Sequence, residues 1–362
     1  GIGDSVDKYS ARDGQLLYQF GEGSHSTVDK AVASARKAFN DKRWSGLPIH
    51  QRKTVLLKLA DLIEEDQETF ALYECLDVGK PINNALYDDI PRAVGSLRSS
   101  AEKMDQVFSP SGSDDGVFAY QQHKPVGVVA GIVGWNYPLT LAANKLGPAL
   151  AMGNSLVLKP SEFTSLSAWR LAELAIKAGV PKGVFNVVNG VGRTVGDALA
   201  RHMDVDLLTF VGSSATGKQM MVSAGESNMK RLILECGGKS PYLVFDDCPN
   251  DLDALAADIV ATAFPNQGAL CVAGTRLLLQ DSIKDKLLPK VSALTQQIVP
   301  SDPLDPATTF GAIINQAHMQ KVLTYIEAGK KSGAQLLCGG RQVNKESGGY
   351  YIEPTIFDQV PP

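Results

Sequence analysis

"PVGVVAGIVGWNYPLTLAAN", residues 125–144, carries no charge, and its reading decides the fold. As one unbroken helix it is just long enough to cross a bilayer, which takes about 20 apolar residues. Its internal composition argues otherwise. The first half is rich in glycine and β-branched residues, and Asn136-Tyr137-Pro138 punctuates the middle. Strand, turn and helix in that order explain it better, so the chain is read as a soluble protein.

The same alternation continues downstream. Short apolar runs occur at 127–133, 155–159, 184–188, 207–211 and 231–234, with helix-compatible segments near 139–152, 164–179, 193–202 and 215–227. Strands separated by helices of this length imply right-handed crossovers and a parallel sheet. "YLVF" at 242–245 begins a second α/β unit, with helices near 251–263, 281–298 and 315–331. Upstream, helical signals dominate. Ser26 and Asp29 make a capping-box-like start, after which Val28, Val32, Ala35 and Phe39 line one face. Residues 47–75 continue the helical pattern, and Pro91 opens another helix. Residues 107–125 read as a protruding hairpin, a Ser/Gly/Asp turn between two short β-prone runs. The expected fold is a two-domain α/β protein with no internal repeat.

Composition narrows the function. A chain of 362 residues accommodates two domains at roughly 150 residues each. The net charge of -4 comes with no basic stripe, which argues against nucleic acid as a partner. Five cysteines (Cys75, Cys236, Cys248, Cys271, Cys338) lack CxxC spacing, which argues for a reducing cytosol rather than a disulfide framework. The five histidines are scattered, so no metal site is indicated. "GIGDSVDKYSARDG" at the start has no basic region leading into an apolar core, so no secretory signal is visible.

Several short segments carry chemistry. "VNGVGRTVG" (188–196) spaces Gly190, Gly192 and Gly196 after a strand and before a helix, as a dinucleotide turn does. "FVGSSATGK" (210–218) places Gly212, Ser213, Ser214 and Gly217 at another strand-to-helix step, where free N–H groups can meet phosphate. Each equally suits an ordinary βα turn. "LKPSE" (158–162) sets Lys159 and Glu162 just past a strand end, suited to ribose hydroxyls. A helix capped by Ser161 explains it as well. "LECGGK" (234–239) ends a strand in Glu235, where partial burial would raise its pKa towards the range of a general base. Asn136 offers an amide to an oxyanion. In "NQGALCVAG" (266–274), the small residues Gly268, Ala269, Ala273 and Gly274 allow a ligand close to Cys271. On spacing alone, a buried, inert cysteine remains the simpler reading of Cys271.

Taken together, "GWNYP", "LKPSE", "FVGSSATG", "LECGGK" and "NQGALCVAG" resemble, in order, the motifs of the NAD(P)-dependent aldehyde dehydrogenase superfamily. The resemblance runs from about residue 9 to the end. It implies Cys271 as nucleophile, Glu235 as general base, and Asn136 with the Cys271 N–H as oxyanion hole. It implies NAD as cofactor, with NADP also open. The contacts would come from Ile132, Trp135, Lys159, Ser161, Glu162, Gly192, Gly196, Phe210, Gly212, Ser213, Thr216, Gly217, Glu235 and Gly237. By the same resemblance the fold is a Rossmann-like NAD-binding domain (1–106 and 126–236), an oligomerisation hairpin (107–125) and an α/β catalytic domain (237–362). Its partners would be a small aldehyde and, with the C-terminal segment present, further copies of itself as homodimer or homotetramer, with no nucleic acid and no membrane, in the cytoplasm.

"NQGALCVAGTRLLLQDSI" and "LDPATTFG" (304–311) look most like the branch acting on γ-glutamyl-γ-aminobutyraldehyde and related aminoaldehydes. Betaine-aldehyde and broad aliphatic enzymes are the alternatives. From other classes come an inactive NAD-binding or structural protein and a cysteine hydrolase. Three departures stand out. "ALC" replaces the usual polar residue or second cysteine before the nucleophile. Cys236 has no assigned role. "YYIEPTIFDQVPP" (350–362) resembles the segment just before the family's E-x-F-G-P motif, so that motif and the rest of the catalytic domain are expected to be missing.

Overall fold

A computed structural model describes residues 5–107, 109–248 and 251–361; residues 1–4, 108, 249–250 and 362 of the ranges expected above lie outside the described residues. The chain opens with paired strands β1 (Ser5–Tyr9) and β2 (Leu16–Gly21), then helix α1 (His25–Asn40). The start of α1 corrects the expected cap. Ser24 is the N-cap, its side chain accepting from the Thr27 N–H, while the Thr27 hydroxyl accepts from the Ser24 N–H at 3.2 Å. A threonine hydroxyl completes the box two residues earlier than the Ser26–Asp29 pairing. Ala38 rather than Phe39 completes the buried face, and Phe39 is half-buried with the Arg36 guanidinium 5.8 Å above its ring.

The helical run 47–75 is two helices, α2 (Ile49–Glu65) and α3 (Gln67–Val78). A short α4 (Ile82–Asn84) widens into a π-helical turn over Ala85–Asp89 that runs directly into α5 (Ile90–Lys103), so Pro91 lies at the joint of one continuous helical run rather than opening a separate helix. Strands β3 (Ser111–Asp114) and β4 (Val117–Tyr120) pair antiparallel. Their loop is Asp115-Gly116, with φ of 45° and 78°, as a two-residue hairpin turn requires. The Ser/Gly/Asp segment expected as the turn is therefore largely the first strand.

The central sheet is built from β5 (Val128–Ile132), α6 (Pro138–Ala151), β6 (Ser155–Lys159), α7 (Leu166–Ala178), β7 (Phe185–Val187), α8 (Asp197–Arg201), β8 (Leu207–Gly212), α9 (Ser214–Gly225) and β9 (Arg231–Cys236). Its order is β7-β6-β5-β8-β9, with β5 parallel to both β6 and β8 and β6 parallel to β7. The order reverses beside β5, and open α/β sheets bind ligands at the carboxyl ends of the strands flanking such a switch.

Both faces of this sheet are buried along β5, β6 and β8, whereas the edge strand β9 alternates and leaves Arg231, Ile233 and Glu235 exposed. Val129, Leu156 and Leu158 join a core with residues of α2, α5, α6 and α7; Val128, Ala130, Ile132, Val157, Leu208 and Phe210 join another with α1, α8 and α9. Two-sided burial is why these strands read as unbroken apolar runs. Each fully buried Val, Leu or Ile contributes about 1.5–3 kcal/mol. Gly131 admits α6 closely, since a Cβ there would meet Leu158 Cδ1 at 3.2 Å and Lys145 Cβ at 3.6 Å. The charge-free stretch is thus divided between a strand and a helix. No helix among the described residues is long and apolar enough to cross a membrane.

The chain divides into two compact units. One comprises the described residues of Gly1–Val6, Gln19–Phe70 and Leu86–Glu235; the other those of Asp7–Tyr18, Ala71–Ala85 and Cys236–Pro362. In the second, β10 (Pro241–Val244) and β11 (Arg276–Leu279) pair parallel. Helices α10 (Leu252–Ala263) and α11 (Asp281–Gln296) bury Ala256, Ile259, Ile283, Leu287 and Val291 with Val244 of β10. Helix α12 (Gln316–Lys331) is capped by Asn315, whose side chain accepts from the His318 N–H at 2.8 Å. The antiparallel pairs β12 (Gln335–Cys338) with β15 (Ile356–Asp358) and β13 (Gln342–Val343) with β14 (Tyr351–Ile352) follow.

Long-range bonds explain why residues 7–18 and 71–85 lie in this unit. The Ile82 N–H donates to Pro303 O at 2.9 Å, Ala312 N–H to Gly79 O at 2.8 Å, and Tyr350 N–H to Ala11 O at 3.0 Å. Lys8 Nζ donates to Asp77 O at 2.6 Å, and the Tyr18 hydroxyl to the Asp77 carboxylate at 2.9 Å.

Lys8 is buried, and burial outweighs the pull of Asp77, lowering its ammonium from 10.5 to about 8. Between these values the unfolded chain binds more protons than the folded one, so this group makes stability rise with pH. Measured against Lys8→Met, the parent's unfolding free energy is expected to gain about 3 kcal/mol between pH 7 and pH 11. Denaturant titrations across that range check it. A pH-independent difference between the two proteins would contradict it.

Candidate active site

A cleft of about 210 Å³ opens in the first unit, where β5, β6 and β8 end. Ile132 closes β5 and leads to Trp135, Lys159 closes β6 and leads to Ser161 and Glu162, and Phe210 and Gly212 close β8. Gly192 and Gly196, from a single wide helical turn before α8, and Ser213 and Thr216, at the start of α9, complete the wall. Eleven of the fourteen residues expected to contact a dinucleotide therefore line one cleft. Its volume is below the roughly 300–1,000 Å³ of whole small-molecule sites, which suits one half of a dinucleotide.

Local chemistry fits a nucleotide. Lys159 is 2% exposed; its Nζ donates to Pro160 O at 3.0 Å and to Glu162 Oε2 at 3.3 Å. Burial lowers its ammonium below the usual lysine range, and the Glu162 carboxylate opposes that shift. Glu162 keeps 23% of its side chain exposed, leaving acceptor capacity for hydroxyls. Ser213 caps α9, accepting from the Thr216 N–H at 3.1 Å. The other first-turn N–H groups and the positive helix end remain suited to an anion. Around Gly192 nothing lies within 4 Å of where a Cβ would sit, so a flat group can approach the backbone there.

Ser161 is not the cap of α7. That helix starts at Leu166 with Ser165 at the N-cap, and Ser161 Oγ instead accepts from the Phe163 N–H at 3.2 Å. Phe163, Val133, Gly134, Val211 and Met220 also line the cleft and were missed. Met220 had a readable signal, lying one helical turn beyond Thr216.

The remaining expected residues lie elsewhere. Gly217 is buried in α9, donating to Ser213 O at 2.9 Å. Asn136 is half-buried in the turn between β5 and α6. Glu235, near the end of β9, is exposed rather than partly buried, as are Cys236 and Gly237. Lys145, on α6, was missed. Burial lowers its ammonium below the usual range, and the Glu235 carboxylate pulls it back up.

Cys271 lies in the second unit, between a short helical turn at Pro265–Gly268 and β11. It is exposed, which overturns the reading of a buried packing cysteine. Its neighbours also play different parts from those expected. Ala273 is 3% exposed, and a Cβ on Gly274 would meet the Tyr242 ring at 3.2 Å, so both serve packing. Gly268 has φ 75° and serves the turn. The Cys271 N–H makes no backbone hydrogen bond among the described residues. Among those residues no cluster of three or more His, Cys, Asp or Glu could hold a metal ion.

NADP/NAD-dependent aldehyde dehydrogenase PuuC of Escherichia coli (strain K12) is 48% identical over 347 residues, covering 96% of this chain and 69% of PuuC. A solved variant of P. syringae AldA indole-3-acetaldehyde dehydrogenase, in complex with NAD+ and IAA, matches with a TM-score of 0.97 at 48% identity. The match covers 99% of this chain and 72% of that one. The γ-glutamyl-γ-aminobutyraldehyde dehydrogenase of Burkholderia cenocepacia J2315 has a TM-score of 0.93 at 45% identity, covering 98% of this chain and 71% of that one. The family described as the aldehyde dehydrogenase family matches residues 2–362. The chain belongs to the aldehyde dehydrogenase family.

Proposed function

We propose that the chain oxidises an aldehyde to a carboxylic acid with NAD+, through a covalent intermediate on Cys271. The convergence of eleven expected cofactor residues on one cleft at the switch in strand order carries this reading. The first unit would hold the cofactor and the second the nucleophile. Lys159 and Glu162 would bind the adenosine ribose and the start of α9 the pyrophosphate; the Glu162 carboxylate favours free ribose hydroxyls over a 2′-phosphate.

The Cys271 thiolate attacks the aldehyde carbon, and the resulting oxyanion is met by the Asn136 amide and the Cys271 N–H. NAD+, when bound, supplies the hydride acceptor. Loss of hydride leaves a thioester on Cys271. Glu235, open to solvent, takes a proton from water, whose oxygen adds to the thioester carbon. The acid leaves and the Cys271 thiolate is regenerated.

The substrate we infer is an aminoaldehyde such as γ-glutamyl-γ-aminobutyraldehyde, a reading supported by the named B. cenocepacia relative. The exposed Val117, Phe118 and Tyr120 of the β3–β4 hairpin suit contact with another copy of the chain. Five free cysteines fit the cytoplasm. NADH formation with γ-glutamyl-γ-aminobutyraldehyde, betaine aldehyde and acetaldehyde tests substrate and reaction together. The kcat/KM for the first is expected to exceed the others by at least about tenfold, or ~1.4 kcal/mol of transition-state discrimination. Equal values would remove the substrate assignment, and no NADH with any aldehyde would remove the reaction.

A further inference from the structure

The backbone just before Cys271 turns with the wrong hand for L-residues. Asn266 (φ 50°, ψ 44°), Gln267 (φ 56°, ψ 31°) and Gly268 (φ 75°) are left-handed in succession. The turn is closed by the Gly268 N–H on Phe264 O at 3.2 Å and the Ala269 N–H on Asn266 O at 2.9 Å. Residues with a Cβ visit this region singly rather than in runs. Such conformations persist only where their surroundings over-determine them.

The surroundings here are a close crossing of two chain segments. A Cβ on Gly311 would meet the Gly79 carbonyl oxygen at 2.1 Å and Gln267 Nε2 at 3.3 Å. The Gln267 side chain therefore ends against the place where Gly79 and Gly311 cross. Its Nε2 is buried there without a hydrogen-bond partner among the described residues. One residue thus combines a disfavoured backbone with an unpaired buried amide, two costs that packing alone does not require.

The turn's geometry is passed directly to Cys271. Ala269 is held at both ends, by its N–H on Asn266 O and by its carbonyl oxygen accepting from Asn266 Nδ2 at 3.4 Å. Only Leu270 separates that fixed point from Cys271. We propose that Gln267 is the positioning residue of Cys271. The left-handed turn it anchors on the Gly79–Gly311 crossing keeps the Cys271 thiol and N–H presented together to a carbonyl. This rests on the reading of Cys271 as nucleophile.

Site-resolved alkylation of the intact chain with iodoacetamide, read by peptide mass, tests it, with the exposed Cys236 as internal reference. In the parent, Cys271 is expected to react at least about tenfold faster than Cys236. Gln267→Gly keeps the positive φ accessible but removes the amide; it is expected to slow Cys271 about tenfold, with Cys236 within about twofold and Tm not lowered. Gln267→Asn, which tolerates the left-handed region but is one methylene too short, should do the same. Cys271 rates within about twofold of the parent in both variants would overturn the positioning role. So would equal slowing of both cysteines with a lowered Tm, the mark of a merely structural residue. A parent Cys271 no faster than Cys236 strikes instead at the nucleophile reading, and the proposal falls with it.

Discussion

Cys271→Ala is expected to cut NADH formation from NAD+ and aldehyde by roughly a thousandfold or more, because in the proposed reaction Cys271 carries the acyl intermediate. Two further measurements make the prediction specific. NAD+ affinity should stay within about twofold of the parent, since every residue lining the cleft belongs to the first unit and Cys271 to the second. Stability should change by no more than about 0.5 kcal/mol, because the side chain removed is exposed. A buried packing cysteine would give the reverse, with stability lost and activity kept. Titration of NAD+ binding, a denaturation curve and initial rates on the one variant separate the two.

Glu235→Gln should stall the reaction half-way. The first turnover needs the thiolate and the oxyanion donors, so about one NADH per chain should still form rapidly. Release of the acid needs a base to activate water, and a positioned general base contributes about 10²–10⁴-fold, or ~3–5 kcal/mol. The steady-state rate is expected to fall by that factor while the burst survives. Removing Glu235 also removes the charge that acts on Lys145, so the Lys145 ammonium should titrate lower in the variant than in the parent. Stopped-flow absorbance of NADH checks the burst. Parent-like turnover would take Glu235 out of the base role.

The inner strands β5, β6 and β8 were readable because burial on both faces gives unbroken apolar runs, and the break at Asn136-Tyr137-Pro138 separated β5 from α6. The cleft was readable because glycines, a lysine–glutamate pair and a capping serine fall at strand ends. Helix starts were read less well. Ser24 and Ser26 are both cap residues by type, and only the Thr27 hydroxyl at 3.2 Å decides between them. Grouping of residues 7–18 and 71–85 with the C-terminal part had no local signal. It depends on bonds such as Lys8 to Asp77 and Ala11 to Tyr350, made across long stretches of chain. Ala273 and Gly274 looked like room for a ligand, and only the burial of Ala273 and the Tyr242 ring against Gly274 show that they are packed. Nothing about a glutamine announces a positive φ, so the turn before Cys271 was invisible.

In the proposed reaction the aldehyde carbon is bonded to Cys271 sulfur while the hydride is given up. Peptide mass after rapid acid quench of the chain with NAD+ and an aldehyde tests it directly. The expected result is an acyl group on the Cys271 peptide, raising the peptide mass by that of the aldehyde less two hydrogens, formed only when NAD+ is present. It should accumulate further in Glu235→Gln. NADH released with Cys271 unmodified, or with the acyl group on Cys236 instead, would contradict covalent catalysis on Cys271.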